Sequence, residues 1–113
     1  MASDVNRLDA IIQYCEIIEE ATERFGKDIE DFMEDKHYQT SCSFCIGQIG
    51  ENIKGLSSKL KETHPEVDWK GFMGMRDIIA HGYHRIDLEE VWITVTEELS
   101  ALKETCKRIL NEQ

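Results

Sequence analysis

Three long stretches of this chain repeat apolar residues at the spacing of one face of an α-helix. In the first, Leu8, Ile12, Cys15, Ile18, Thr22 and Phe25 recur in a 4-3 rhythm, which predicts a helix from about Ser3 or Asp4 to Phe25. Ala10, Ile11, Tyr14 and Ile17 widen that face, enough to pack against more than one neighbour. In the second, Cys42, Cys45, Ile46, Ile49, Ile53, Leu56 and Leu60 mark a helix from about Tyr38 to Glu62, closed by His64-Pro65 because the residue before a proline avoids helix. Gly47 and Gly50 lower its helix propensity, so a neighbouring backbone is expected to come close there. In the last, Leu88, Trp92, Val95, Leu99, Leu102, Cys106 and Ile109 form the stripe. Asp87 is placed to cap that helix, with Glu90 three residues on and Ile86 and Val91 at the staple positions. Gly26 ends the first helix, and between it and the second, Asp28 to Asp35 reads as one short acidic helix with Ile29, Phe32 and Met33 on one side. One proline and seven glycines leave little room for a turn-rich β fold. The fold class is all-α: an antiparallel bundle of four main helices plus one short helix, in a single domain over residues 1–113.

The fourth main helix starts at Asp68, an N-cap type, with Val67 and Phe72 at the staple positions. It runs through Met75-Arg76-Asp77-Ile78-Ile79-Ala80-His81 to Gly82, a natural stop. At about 100° per residue, Arg76 falls in the middle of the apolar face made by Trp69, Phe72, Met73, Ile79 and Ala80. A permanent cation there needs a partner: a structural carboxylate, a second subunit or a bound phosphate. Asp77 and His81, spaced i and i+4, share a flank, where a carboxylate can orient an imidazole and raise its pKa. Gly71 and Gly74 lie on the opposite side, which is flat and suits close helix contact. With apolar residues on both sides, this helix is expected to meet a second copy of the chain, giving a homodimer.

Charge narrows the function. The chain carries 13 basic and 23 acidic residues, net −10. Residues 1–35 hold 3 of the basic and 11 of the acidic groups, whereas 68–87 hold 3 of each. A broad, non-specific nucleic-acid footprint is therefore disfavoured; a local site built on a few cations, or a basic protein partner, is not. No apolar run approaches the ~20 residues of a membrane span, and no basic-then-apolar leader is evident, so a cytoplasmic protein is expected. Cys42-Ser-Phe-Cys45 has C-x-x-C spacing, but no second pair completes a zinc site and no βαβ context suggests a redox site. Cys15, Cys42, Cys45 and Cys106 all sit on apolar stripes and are expected as buried, reduced thiols. Trp69 and Trp92 are read as core, and His37 and His64 as ordinary loop or helix-end residues. No metal site, phosphate loop or Ser/Cys nucleophile motif appears.

What remains is Arg76 with His81. Histidine titrates near neutrality and suits acid-base work; arginine offers phosphoryl oxygens a planar fork of donors. RNA brings its own nucleophile, the 2′-OH. This pair can therefore serve a metal-free ribonuclease. The series Arg76-x4-His81-x-Tyr83 also resembles the Arg-x4-His-x-Tyr signature of HEPN domains, in particular the HepT-like toxins. The flanking Trp69, Gly74-Met75, Ile86-Asp87 and Val91-Trp92 strengthen the likeness, which covers most of the chain. The resemblance implies a helical homodimer and a toxin–antitoxin pair in which the toxin is a metal-independent endoribonuclease needing no cofactor. Arg76 and His81 are then the catalytic pair, with Asp77 in support. It also implies a minimal nucleotidyltransferase antitoxin that binds the toxin and transfers AMP to the motif tyrosine, here Tyr83. The alternative is a non-catalytic, nucleotide-binding partner subunit of a nucleotidyltransferase.

Overall fold

The computed structural model describes the backbone of residues 2–81 and 87–112 and the side chains of residues 3–77 and 87–112. Ile86 of the expected staple and Tyr83, His84 and Arg85 lie outside these ranges, as does the His81 side chain. The chain forms α1 (Ala2–Phe25), α2 (Ile29–Met33), α3 (Lys36–Gly55), α4 (Ser58–Thr63), α5 (Trp69–His81), α6 (Leu88–Ile93) and α7 (Leu99–Glu112). A π-helical turn, Thr94–Glu98, joins α6 to α7 without a break. The described residues contain no strand.

Helix α1 packs between α3 and α7. Leu8 and Ile11 are fully buried and Cys15 nearly so, because the broad apolar face expected from the sequence has two helices to cover it. Asp4 bonds to Ser57, Arg7 reaches Asn52, Tyr14 meets Phe44 and Phe25 meets Tyr38. Partner numbers fall as α1 numbers rise, so α1 and α3 run antiparallel. On its other flank α1 packs against α7, where Glu19 pairs with Lys103 at 2.7 Å. Helix α5 docks on the far side of α3. Trp69, Phe72 and Trp92 are buried, as expected of core residues, and each large apolar side chain so covered contributes roughly 1.5–3 kcal/mol. Phe32, Tyr38 and Trp92 form a ring cluster with centroids 5.1–6.0 Å apart.

Several expectations need correction. The second long helix does not run to Glu62: it stops at Gly55, Leu56 is extended (ψ 148°), and Ser57 caps a separate α4 by accepting from Leu60 N–H at 3.2 Å. There are thus two short helices, not one. The cause is tertiary. The Asp4 carboxylate, buried at 6% exposure, takes the Ser57 N–H at 2.9 Å and its hydroxyl at 2.8 Å, and so holds the break open. In α2 only Phe32 turns inward, while Ile29 and Met33 stay about 40% exposed. Ile17 and Phe25 are likewise exposed at the edge of the α1 face. The last helix was expected to be regular. Instead the Thr94 and Thr96 hydroxyls bond back to the Glu90 and Trp92 carbonyls at 3.0 and 2.9 Å, a habit that bends helices, and the π turn falls there. Lys103 and Arg108 of that helix make tertiary ion pairs with Glu19 and Glu66.

Other local signals hold. Asp87 caps α6 through Glu89 and Glu90 N–H, and Asp68 caps α5 through Gly71 N–H at 3.0 Å. All four cysteines are free and buried, and burial pushes the Cys15, Cys42 and Cys106 thiols up to about 12. They are core-filling thiols, not nucleophiles. The expected close approach occurs at Gly50: a Cβ there would collide with the Arg76 side chain and sit 2.9 Å from the Phe72 carbonyl.

Gly50→Ala tests that contact. Alanine would add up to about 1 kcal/mol of helix propensity. The obstacle is the backbone of α5, which cannot move aside cheaply, so the clash wins and the net loss is about 1–3 kcal/mol in denaturant unfolding. A neutral or stabilised Gly50→Ala protein would show that α5 does not sit this close. Asp4→Asn tests the break after α3. Burial alone would raise the Asp4 pKa, but the Ser57 hydroxyl and N–H, aided by the N-terminal charge and Lys61, hold it below the ordinary value. Its contribution is complete above the unfolded pKa of about 3.9 and fades as pH falls through the lower folded value. The stability gap between parent and Asp4→Asn, about 1–3 kcal/mol at pH 7, should shrink on acidification toward pH 3 in paired thermal melts.

Candidate functional site

Arg76 sits on the α5 face that crosses α3 at Gly50. The missing Cβ lets the arginine stem lie against the α3 backbone, and the head group emerges beside the next residue of α3, Glu51. The Arg76 side chain is only 22% exposed, with Nε 2.7 Å from Glu51 Oε2 and Nη1 2.9 Å from Asp77 Oδ1. Both of these partners are carboxylates, one from α3 and one from the next residue of α5. The Asp77 hydrogen bond, with the Glu51 charge, holds the guanidinium above its usual pKa despite partial burial.

The two carboxylates differ. Asp77 is 66% exposed, and its bond to Arg76 is between neighbours in sequence. An ion pair so open to water is worth about 0–1 kcal/mol and exchanges readily. Glu51 is 46% exposed as a side chain, yet its Oε2 is shielded from solvent and has no well-aligned hydrogen bond among the described residues. The ion pair with Arg76 is what compensates that atom. Sequence reasoning missed Glu51. The available signal was its position beside Gly50, once a close helix approach was expected there.

Of the predicted site residues, the structure brings Arg76 and Asp77 together. His81 is the last residue of α5, five residues beyond Arg76. The expected Asp77–His81 contact involves a side chain outside the described set, and Tyr83 lies outside it altogether. Lys70 is exposed on the first turn of α5. The neighbouring wall is firm: the buried Thr94 hydroxyl lies 3.0 Å from the Met75 sulfur, tying the π turn to α5 one residue before Arg76. His64 is a helix-end residue, the C-cap of α4, as expected. Its ring approaches Glu66 at 3.5 Å and Glu112 at 3.8 Å, and its carbonyl accepts the Trp69 indole N–H at 2.9 Å, which pins the start of α5. No helix among the described residues is long and apolar enough to cross a membrane.

A half-buried arginine near one end of a short helix, already neutralised by two carboxylates, can exchange one of them for another oxyanion such as a phosphate. Comparisons with known proteins bear on that chemistry. The family model HepT-like, described as ribonuclease HepT-like, matches residues 3–109. The probable ribonuclease HepT of Thermococcus cleftensis is 35% identical over 96 residues, 85% of this chain and 86% of its own length. A protein of Caldanaerobacter subterraneus subsp. tengcongensis, named as a candidate RNase, is 32% identical over 94% of this chain and 93% of its own. A Methanocaldococcus jannaschii protein named for gamma-glutamylcyclotransferase and a candidate RNase is 35% identical over 93% of this chain but only 46% of its own length. No solved structure matches the chain. With the family match running almost end to end and two relatives above 30% identity along most of both chains, this protein belongs to the HepT-like family.

Proposed function

We propose that the chain is a metal-independent endoribonuclease and the toxin of a toxin–antitoxin pair. The observation that carries this reading is the half-buried Arg76 guanidinium on α5, in a chain whose family and relatives bear ribonuclease names. Arg76 binds the scissile phosphate through its fork of donors. His81 takes the proton from the 2′-hydroxyl, the 2′-oxygen bonds to phosphorus, and the bond to the 5′-oxygen breaks as that oxygen gains a proton. The product is a 2′,3′-cyclic phosphate, later opened to the monoester. Two copies of α5 face each other across a homodimer, so that both Arg76–His81 pairs line one cleft. A minimal nucleotidyltransferase antitoxin neutralises the toxin by transferring AMP to Tyr83, which sets a phosphate beside Arg76 and blocks the substrate's own.

The net charge of −10, with the acid concentrated in residues 1–35, favours a small or structured RNA presented to a local cleft. It also supports a second reading, a nucleotide-binding subunit of a nucleotidyltransferase that cuts nothing. Inducing parent and His81→Ala proteins in cells, and assaying both on RNA in vitro with EDTA present, separates the two. The ribonuclease reading expects growth arrest and fragments ending in cyclic phosphate from the parent, unaffected by EDTA. His81→Ala should be slower by roughly 10²–10⁴-fold. Equal cleavage by the two proteins would remove His81 from the mechanism. Intact RNA with both, and nucleotide binding lost in Arg76→Ala, would establish the second reading. For Tyr83, phenylalanine should keep nuclease activity but escape neutralisation when the cognate nucleotidyltransferase is co-expressed. A neutralised wild-type complex whose intact mass shows no added AMP would count against modification.

A further inference from the structure

Arg76 is gripped by two carboxylates that cannot have the same role. Glu51 comes from a different helix, at the point where α3 and α5 touch, and holds the Nε side at 2.7 Å. Its Oε2 is out of reach of solvent, and among the described residues it has no well-directed hydrogen bond. A buried oxygen kept in that state is costly and calls for a reason. Asp77 is the next residue of α5 itself, is largely exposed, and accepts from Nη1 at 2.9 Å. A guanidinium offers a phosphate paired donors along its edges. With Nε facing Glu51, the Nη groups are the donors available to another ligand, and one of them, Nη1, now carries an Asp77 oxygen.

We propose that Glu51 is a positioning residue that fixes the Nε side of Arg76, and that Asp77 is an exchangeable carboxylate occupying the seat of the substrate phosphate. This deepens the ribonuclease reading and rests on it for the identity of the ligand. The ordering follows from solvation. Replacing Asp77 returns an exposed carboxylate to water at little cost, whereas displacing Glu51 would break the one compensating contact of a shielded oxygen. An incoming phosphate therefore trades places with Asp77. Glu51 adds a further consequence: it makes the seat's geometry depend on α3, and hence on Gly50.

The test uses the full-length protein and the variants Glu51→Ala, Glu51→Gln and Asp77→Asn. Its first readout needs no catalysis: the Arg76 Nε–H signal by nitrogen-15 relaxation, and its response to titrated inorganic phosphate. The proposal expects an ordered Nε–H in the parent and Glu51→Gln, whose amide oxygen can replace the carboxylate, but a mobile one in Glu51→Ala. Phosphate should bind Asp77→Asn about three- to tenfold more tightly than the parent, since a competing charge is gone, and Glu51→Ala more weakly. In the RNA assay Glu51→Ala should lose at least about tenfold in kcat, with Glu51→Gln restoring most of it at an unchanged melting temperature. An Nε–H as ordered in Glu51→Ala as in the parent would overturn the positioning role. Unchanged or weaker phosphate binding by Asp77→Asn would overturn the exchange. Equal losses in Glu51→Ala and Glu51→Gln with falling melting temperature would make Glu51 merely structural. If the parent cuts no RNA, the ribonuclease reading fails, and the relaxation and phosphate data still decide this proposal.

Discussion

The absence of one methyl group, at Gly50, sets the distance between α3 and α5, and the proposed site depends on it. Helices that pack through larger side chains keep their axes about 8–10 Å apart. At Gly50 the Phe72 carbonyl and the Arg76 stem occupy the space that any side chain would need. That closeness brings the Arg76 head to Glu51 on the next residue of α3. It also leaves the apolar flank of α5 free to pack Trp69 and Phe72 into the core. The arginine is thus both part of a helix contact and the charge on which the proposed chemistry turns. A long side chain suits both tasks, because its methylene stem packs while its head stays near solvent.

The surrounding structure makes that contact rigid from several directions. The Asp4 carboxylate closes α1 onto the turn after α3. The His64 carbonyl holds the Trp69 ring at the start of α5, and Thr94 in the π turn meets Met75. None of these groups belongs to the proposed catalytic pair. Each fixes a backbone from which a site residue projects, and such support is what keeps a phosphate seat at a usable geometry. The buried cysteines belong to the same scaffold. With burial raising their pKa values, they behave as small hydrophobes at the α1–α3–α7 contacts.

Charge separates the molecule into regions. Apart from the buried Asp4, the acid of residues 1–35 is shared between the outer side of α1 and the segment in and around α2, while residues 68–87 are balanced. Long-range attraction for a nucleic-acid backbone is therefore weak, and the proposed recognition of RNA rests on short-range contacts. Even there Arg76 is neutralised in the free protein. On the proposed exchange, a phosphate would have to win its place from Asp77, which would favour ligands that make further contacts.

The helical class, the stripes of α1, α3 and the last helix, the caps Asp68 and Asp87 and the buried thiols were all legible in the sequence. They depend on interactions between residues a few positions apart, where helical period and capping chemistry act. Arg76 stood out for the same reason, as a cation at an apolar position. The break at Leu56, the single inward residue of α2 and the role of Glu51 were not legible. Asp4 and Ser57, or Glu51 and Arg76, are separated by tens of residues, and nothing local indicates that they meet. The π turn lay between: its threonines were visible, but whether their hydroxyls would bond back along the helix depended on the burial of Thr94 against Met75. The sequence by itself determined that the chain would be helical, where the main apolar stripes would run, and that one arginine would need a counter-charge. Only the tertiary structure decided which carboxylate would meet it, because that choice follows from how closely α5 can approach α3 across Gly50.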